Sequence, residues 1–384
     1  MRILHTADWH VGKHLGRFDR LSETQRVLDH LVEVTRDAQA DLVIVAGDLF
    51  DRALTAYANL GLVLETLVRL ADTGAKVVAI PGNHDSADLF DVLAPYLEAV
   101  DVTLVARPRR PEEGGVVVLP ARDGNTVAQV ACLPFLHEAQ SVDFMEATSD
   151  WHKSYAERIR SLCNHYAAWM QARRGADTID VLVGHFMVHG AVPSGSERQL
   201  HIGEAYMARE DAIPNVSYAA LGHIHLGQPA PGTDVPAFYA GSLMQLDFGE
   251  VGQEKSVILV ECTPEATRAP KRIPIEGGRK LLRVQGTREE LRAMVSEVGD
   301  AILDVGVVTE GPSPGLADEV REFLPHALYV RAVFDRPDAP ITARQGLGLG
   351  ELYDEYSIAR HGEAPSDEVR RAFRELCDEV AIEL

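Results

Sequence analysis

From its start to about residue 275 the chain alternates short, wholly apolar runs with longer amphipathic ones. Leu42–Ala46, Val77–Ile80, Val181–Val183 and Tyr218–Leu221 show no polar alternation. Runs this short and this apolar predict strands buried on both faces. Between them lie helical periods. Val27, Leu28, Leu31 and Val34 form one apolar face, and Ser22 with Gln25 reads as a capping box at its start. Leu60, Val63, Leu64, Leu67 and Val68 form a second, over about residues 56–71, with Gly74 just past its end. A third helix is expected over Ser154–Arg173. Short strands are expected at Val116–Leu119, Val127–Cys132, Ala237–Ala240 and Val257–Val260. Strands outnumber helices late in this segment, so an α/β fold with a pair of mixed sheets and helices outside fits best.

Pro270, Pro274, Gly277 and Gly278 close this first domain, residues 1–275. The pattern then restarts as a small α/β unit over residues 279–338. A strand from Leu281, a helix Thr287–Val298, a strand Ala301–Val308, a helix Leu316–Leu324 and a strand Leu328–Phe334 are expected there. Residues 339–350, with Pro340 and the Gly346–Gly350 stretch, read as a linker. The tail, residues 351–384, carries Leu352, Tyr353, Tyr356 and Ile358. A helix follows with Val369, Phe373, Leu376 and Val380 on one face. That face packs on its own domain or docks a partner, and its place beyond a linker favours docking.

Chemistry concentrates where the apolar runs end. Asp8-Trp9-His10, Gly47-Asp48, Gly82-Asn83-His84-Asp85, Gly184-His185 and Gly222-His223-Ile224-His225 each follow a strand-like stretch. In an open α/β sheet the carboxyl ends of strands are where ligands bind. Asp8 and His10 share one side of a strand end, as do His223 and His225. Any one cluster is weak evidence, since Asp48 alone reads as a turn residue and Asp8-x-His10 as structural. Five together supply more oxygen and imidazole donors than one metal ion needs, and they suit two. His189, near His185, reads as a residue supporting the site or a loop residue rather than a ligand.

Charge and cysteine content narrow the setting. The formal net charge of −21 argues against a protein that coats nucleic acid through its own basic field. Bound divalent cations or a basic partner would change that locally. Cys132, Cys163, Cys262 and Cys377 are far apart and form no CxxC pair, which predicts reduced, inert thiols. No apolar run is long enough for a membrane span, and no secretory signal is read at the start, so a cytoplasmic location is expected.

The series Asp-x-His, Gly-Asp, Gly-Asn-His-Asp, Gly-His and Gly-His-x-His resembles the calcineurin-like metallophosphoesterases over residues 1 to about 260. The resemblance implies a β-sandwich flanked by helices. Met1–His10, the Gly16 loop, Leu221–His225 and Tyr239-Ala240-Gly241-Ser242 more closely resemble the family of SbcD-type bacterial nuclease subunits. That family implies a capping domain after residue 280 and a tail that docks on the coiled coil of an SbcC-type ATPase. It also implies a homodimer within a heterotetramer. Carried over, Asp8, His10 and His225 hold one metal, Asn83, His185 and His223 hold the other, and Asp48 bridges both. The resemblance and the mixed donors point to two Mn²⁺, with Mg²⁺ or another divalent ion as substitutes. His84 then assists the leaving oxygen, with Asp85 as its orienter. Asp51, three residues after Asp48, stands where many archaeal and eukaryotic relatives carry histidine, and reads as a supporting or turn residue.

Lys13, His14, Arg17 and Arg20 after the first motif, and Arg198 in a later loop, are the candidate DNA-phosphate contacts. The expected function is a metal-dependent nuclease subunit acting on DNA as a 3′–5′ exonuclease and single-strand endonuclease in break repair. The alternatives are another phosphoesterase of the superfamily, such as a cyclic-nucleotide phosphodiesterase or protein phosphatase, or a non-catalytic scaffold.

Overall fold

A computed structural model describes residues 1–137, 154–197, 206–334, 348–361 and 363–379. Two six-stranded sheets face each other. The strands that matter most are β1 (Arg2–Thr6), β2 (Leu42–Ala46), β3 (Lys76–Ile80), β4 (Thr178–His185) and β5 (Tyr218–Gly222). In the first sheet β1, β2 and β3 run parallel, and Ser256–Glu261 joins β1 antiparallel. In the second, β4 and β5 run parallel beside Val127–Leu133. Both sheets are mixed, as expected.

Alternation along the strands builds three apolar layers. Ile3, Leu42, Ile44, Val78 and Ile80 meet Val130, Cys132, Val181, Val183 and Ala220 between the sheets. Leu4, Val43, Val45, Val77 and Ala79 face outward and pack under helices. Those helices are α1 (Leu21–Asp37), α2 (Tyr57–Asp72) and α3 (Ala87–Leu97). On the far side α4 (Tyr155–Arg173) lays Ile159, Leu162, Tyr166 and Met170 against Ala131, Leu133 and Leu182. Two covered faces explain why the strands read as continuous apolar runs.

Local details depart from the sequence reading in three places. Ser22 does not cap α1: the helix begins at Leu21, and Asp19 Oδ1 accepts the Leu21 N–H at 2.9 Å instead. Capping boxes lie elsewhere, at α4, where Ser154 and Glu157 exchange both bonds, and at Thr287 with Glu290. Helix α3 was not expected, because Pro95 interrupts its period. Leu349–His361 is helical where a linker was read through residue 350.

Residues 281–333 form a three-stranded sheet with short helices. By contacts the chain divides into one unit of residues 1–307 and 315–331 and a second of 308–314 and 332–384. Within the second unit, helices Leu349–His361 and Asp367–Glu379 are held by Tyr353 stacked on Phe373, ring centres 4.1 Å apart, and by Arg370 paired with Asp354 at 2.9 Å. Cys132, Cys163 and Cys262 are buried free thiols. Among the described residues no helix is long and apolar enough to cross a membrane.

Candidate metal centre

All five motifs converge at the carboxyl edge of the sandwich. The sheets approach so closely there that a Cβ on Gly222 would lie 2.0 Å from Ala46 O, and within the first sheet the loops crowd so that one on Gly82 would lie 2.2 Å from Asp48 Oδ1. No side chain fits at either position. Backbone bonds tie the first two loops: Asp8 N–H donates to Gly47 O and His10 N–H to Asp48 O, both at 3.0 Å. Asp8, His10, Asp48 and His223 all hold positive φ, between 46° and 95°. Such strain in non-glycine residues collects at functional sites.

Every one of these donors is withdrawn from solvent, from His185 at 0% exposure to His84 at 9%. They fall into two groups. His10 Nε2 and His225 Nε2 lie 3.1 Å apart, with Asp8 beside them. Asn83 Oδ1 lies 3.1 Å from His185 Nε2 and 2.8 Å from His223 Nδ1. Asp48 Oδ2 sits between the groups, 3.6 Å from His10 Nε2 and 3.4 Å from His185 Nε2. Asp48 Oδ1 accepts the His84 N–H at 2.8 Å, and Asp8 accepts the His223 N–H at 3.1 Å. Within this cluster the ligand atoms of Asp8, His10 and His225 all lie within 4.8 Å of one another, as do those of Asp8, Asp48 and His185. Buried nitrogen and oxygen donors in this number fit divalent ions.

Electrostatics support that fit. Burial, reinforced by the negative charge of Asp48, pushes the Asp8 carboxyl up to about 6. Burial also opposes charge on Asp48, but the neighbouring histidines outweigh it and hold its carboxyl well below the usual range. Burial opposes charge on His185 too, yet Asp48 raises that imidazole to about 9. His10 goes the other way, lowered well below the ordinary imidazole value mainly by burial. Two buried carboxylates this close repel each other, and cations offset that repulsion.

His84 lies over the cluster, its ring edge-on to His10 at 4.6 Å between centres. Its Nδ1 meets the backbone carbonyl of Asp51 at 2.8 Å. Asp85 is therefore not its orienter. The Asp85 carboxylate instead accepts N–H groups from Gly82, Leu49 and Phe50 at 2.9–3.1 Å, lacing the second and third motif loops together. Burial, then Asp48, pushes Asp85 up to about 7. The Asp51 side chain pairs with Lys13 at 3.3 Å and stands 3.8 Å from His10 Nδ1.

The expected phosphate contacts divide. Arg20 is wholly buried and paired with Glu23 at 2.8 Å, and it also donates to Gln245 O. A guanidinium enclosed this way reaches no phosphate, so that expectation is corrected. Arg17 is exposed, and its guanidinium donates to Pro325 O at 2.6 Å. His14 is exposed, and Lys13 is half-buried beside Asp51. Arg198 and Val380 lie outside the described residues. His189 is exposed and faces Glu210, not the cluster.

Several residues behind His225 escaped the sequence reading. Ser196 Oγ and Glu250 Oε1 lie 2.7 and 3.1 Å from His225 Nδ1. Glu197 Oε1 accepts the His225 N–H at 3.0 Å, and Lys255 pairs with Glu250 at 2.6 Å. Burial alone would raise the Glu250 carboxyl; His225 and Lys255 hold it below the usual range instead. Ser242, in the Tyr-Ala-Gly-Ser stretch, was the nearest sequence signal, and it donates to Glu250 at 3.0 Å.

The model of the calcineurin-like phosphoesterase family matches residues 1–227. Several D subunits of the nuclease SbcCD are similar to the chain over most of its length. With that of Bacillus subtilis the identity is 28%, covering 99% of this chain and 98% of the relative. With that of Rhodobacter capsulatus it is 30%, over 92% of this chain and 85% of the relative. With that of Escherichia coli K12 it is 27%, over 92% and 90%. The strand-end donor cluster and these matches agree: the chain belongs to the calcineurin-like phosphoesterases, and within them to the family of SbcCD D subunits.

Proposed function

We propose that this protein is a metal-dependent nuclease subunit that hydrolyses DNA phosphodiester bonds at a two-metal centre. The observation that carries the reading is the pair of buried donor groups with the Asp48 carboxylate between them. Asp8, His10 and His225 would hold one ion, Asn83, His185 and His223 the other, and Asp48 both. Mixed nitrogen and oxygen donors favour Mn²⁺. When bound, such a pair supplies Lewis acidity to the phosphate and to an attacking water. The protein groups do the rest. With Nδ1–H donated to Asp51 O, His84 as an imidazolium would carry its second proton on Nε2 and give that proton to the departing 3′ oxygen, a poor leaving group without it. The strained loops hold the donors ready, so little reorganisation accompanies binding.

Exonuclease action in the 3′–5′ direction on duplex ends and endonuclease action on single strands are the activities we assign. The relatives are named as D subunits of a two-part nuclease, so we assign a partner ATPase of the SbcC type, with repair of DNA breaks as the setting. The tail supports docking there. Tyr353 and Phe373 hold its two helices together, whereas Tyr356, Val369 and Leu376 are exposed and Leu352 is half-buried. With a net charge of −21, the partner is the better source of a basic DNA track. Residues 279–338 would form the capping domain. Leu54 and Tyr57, 94% and 92% exposed, suit a homodimer contact within a heterotetramer.

The test is cleavage of end-labelled duplex DNA with Mn²⁺ by the wild-type chain beside His84→Gln. Cleavage by wild type alone supports the reading. Hydrolysis of a small phosphodiester with no cleavage of DNA, even after the ATPase is added, would replace it with a small-substrate phosphoesterase.

A further inference from the structure

One histidine from each donor group, His185 and His225, is held in a different way. His185 Nδ1 meets a main-chain carbonyl, Ala46 O, at 2.7 Å. His225 Nδ1 meets two side chains, Ser196 Oγ at 2.7 Å and Glu250 Oε1 at 3.1 Å. Glu250 is wholly buried and comes from a short helical turn, Phe248–Glu250, which no ligand motif includes. Its two oxygens have separate tasks. Oε1 faces His225 and accepts Ser196 O–H at 2.5 Å. Oε2 takes Lys255 at 2.6 Å, Ser242 O–H at 3.0 Å and Leu246 N–H at 3.2 Å. A buried ion pair alone would need only the second set.

We propose that Glu250 is a positioning residue for the metal centre, acting with Ser196 through His225. Its Oε1 accepts the His225 Nδ1–H, so the tautomer is set and Nε2 points at His10 Nε2, 3.1 Å away. A carboxylate on the far nitrogen also makes the ligating nitrogen a better donor. Lys255 and Ser242 hold the carboxylate from behind. Glu197 secures the same histidine by its main chain, accepting His225 N–H at 3.0 Å while its two oxygens also bind Ser194 N–H and Gly195 N–H. The result is that the Asp8–His10–His225 half depends on side chains, whereas the His185 arm of the other half rests on backbone. The inference assumes the two-metal reading and adds that the two halves have separately adjustable affinities.

The experiment is calorimetric titration of the full chain with Mn²⁺, with thermal unfolding of each variant without metal. Wild type should bind in two steps. Glu250→Gln should weaken one step by about 10–100-fold, the usual effect of losing such a partner, and leave the other within about threefold. Ser196→Ala should weaken the same step by a smaller factor, and it retains the Lys255 pair should Glu250→Gln fail to fold. Lys255→Gln, which removes a support of the carboxylate but keeps the Oε1–His225 contact, should lower the unfolding temperature and weaken the same step less than Glu250→Gln. Equal weakening of both steps in Ser196→Ala and Glu250→Gln, or no weakening in either, would overturn the proposal while leaving the metal centre standing. A wild-type chain that binds no Mn²⁺ would overturn both.

Discussion

The donor cluster and the cationic loop that follows its first motif lie within a few residues of each other, yet they are built on opposite terms. Asp8 and His10 belong to a set whose members meet one another. Lys13 and Arg20 instead turn to acids inside the protein, Asp51 and Glu23, whereas Arg17 stays exposed and meets main-chain carbonyls, Pro325 O and Ala327 O. Convergence of ligands is a property of the fold's edge. Availability of a cation depends on whatever acid the fold brings to it. In a chain of net charge −21 an arginine meets an acid more readily than a phosphate.

The sharpest way to break this contrast is Asp48→Asn. It removes the carboxylate between the two groups, so Mn²⁺ binding and DNA cleavage should both be lost. Loss of a metal clamp is worth several kcal/mol, or more than about 10³-fold in rate. A variant that still bound two ions would deny Asp48 its shared role. His84→Gln should slow cleavage by about 10²–10⁴-fold with Mn²⁺ affinity little changed. Equal loss of metal would make His84 a ligand instead.

Arg20 tests the other side. Arg20→Met should lower stability by about 3 kcal/mol in urea unfolding, because a buried ion pair loses one member, while Arg279 still meets Glu23 at 2.6 Å. The salt dependence of DNA binding should not move. Arg17→Ala should reverse that pattern, with little loss of stability and a salt slope shallower by about one. Identical behaviour of the two would erase the distinction.

Protonation sharpens the cluster itself. Without metal, His185 holds its proton up to about pH 9 and Asp8 is protonated below about pH 6. Ligation needs neutral imidazole and ionised carboxylate, so each bound ion displaces these protons. Mn²⁺ affinity should therefore rise with pH between about 6 and 9, by roughly tenfold per unit for each proton released, and fall more steeply below 6. A flat profile over that range would contradict the buried histidine–aspartate pair.

How much of this was legible before the fold was known follows from the same contrast. The strands were readable because burial on both faces erases polar alternation, and the donors because each stands just past such a strand. Helix α3 was obscured by Pro95, and the start of α1 by a local rule that Ser22 satisfied and the fold did not use. Arg20 read as a surface cation because nothing local showed that Gln245 lay against it. Asp85 read as the partner of its neighbour His84, but its carboxylate reaches back to Leu49 and Phe50. Glu250 gave no signal, since its turn lies twenty-five residues beyond His225. Motifs at strand ends carry their own context, whereas pairings across the chain do not.

The most direct measurement is anomalous diffraction at the manganese edge from crystals soaked in Mn²⁺. Two peaks are expected, one among Asp8, His10 and His225 and one among Asn83, His185 and His223, with Asp48 reaching both. A single peak, or none at this edge of the sandwich, would contradict the two-metal centre.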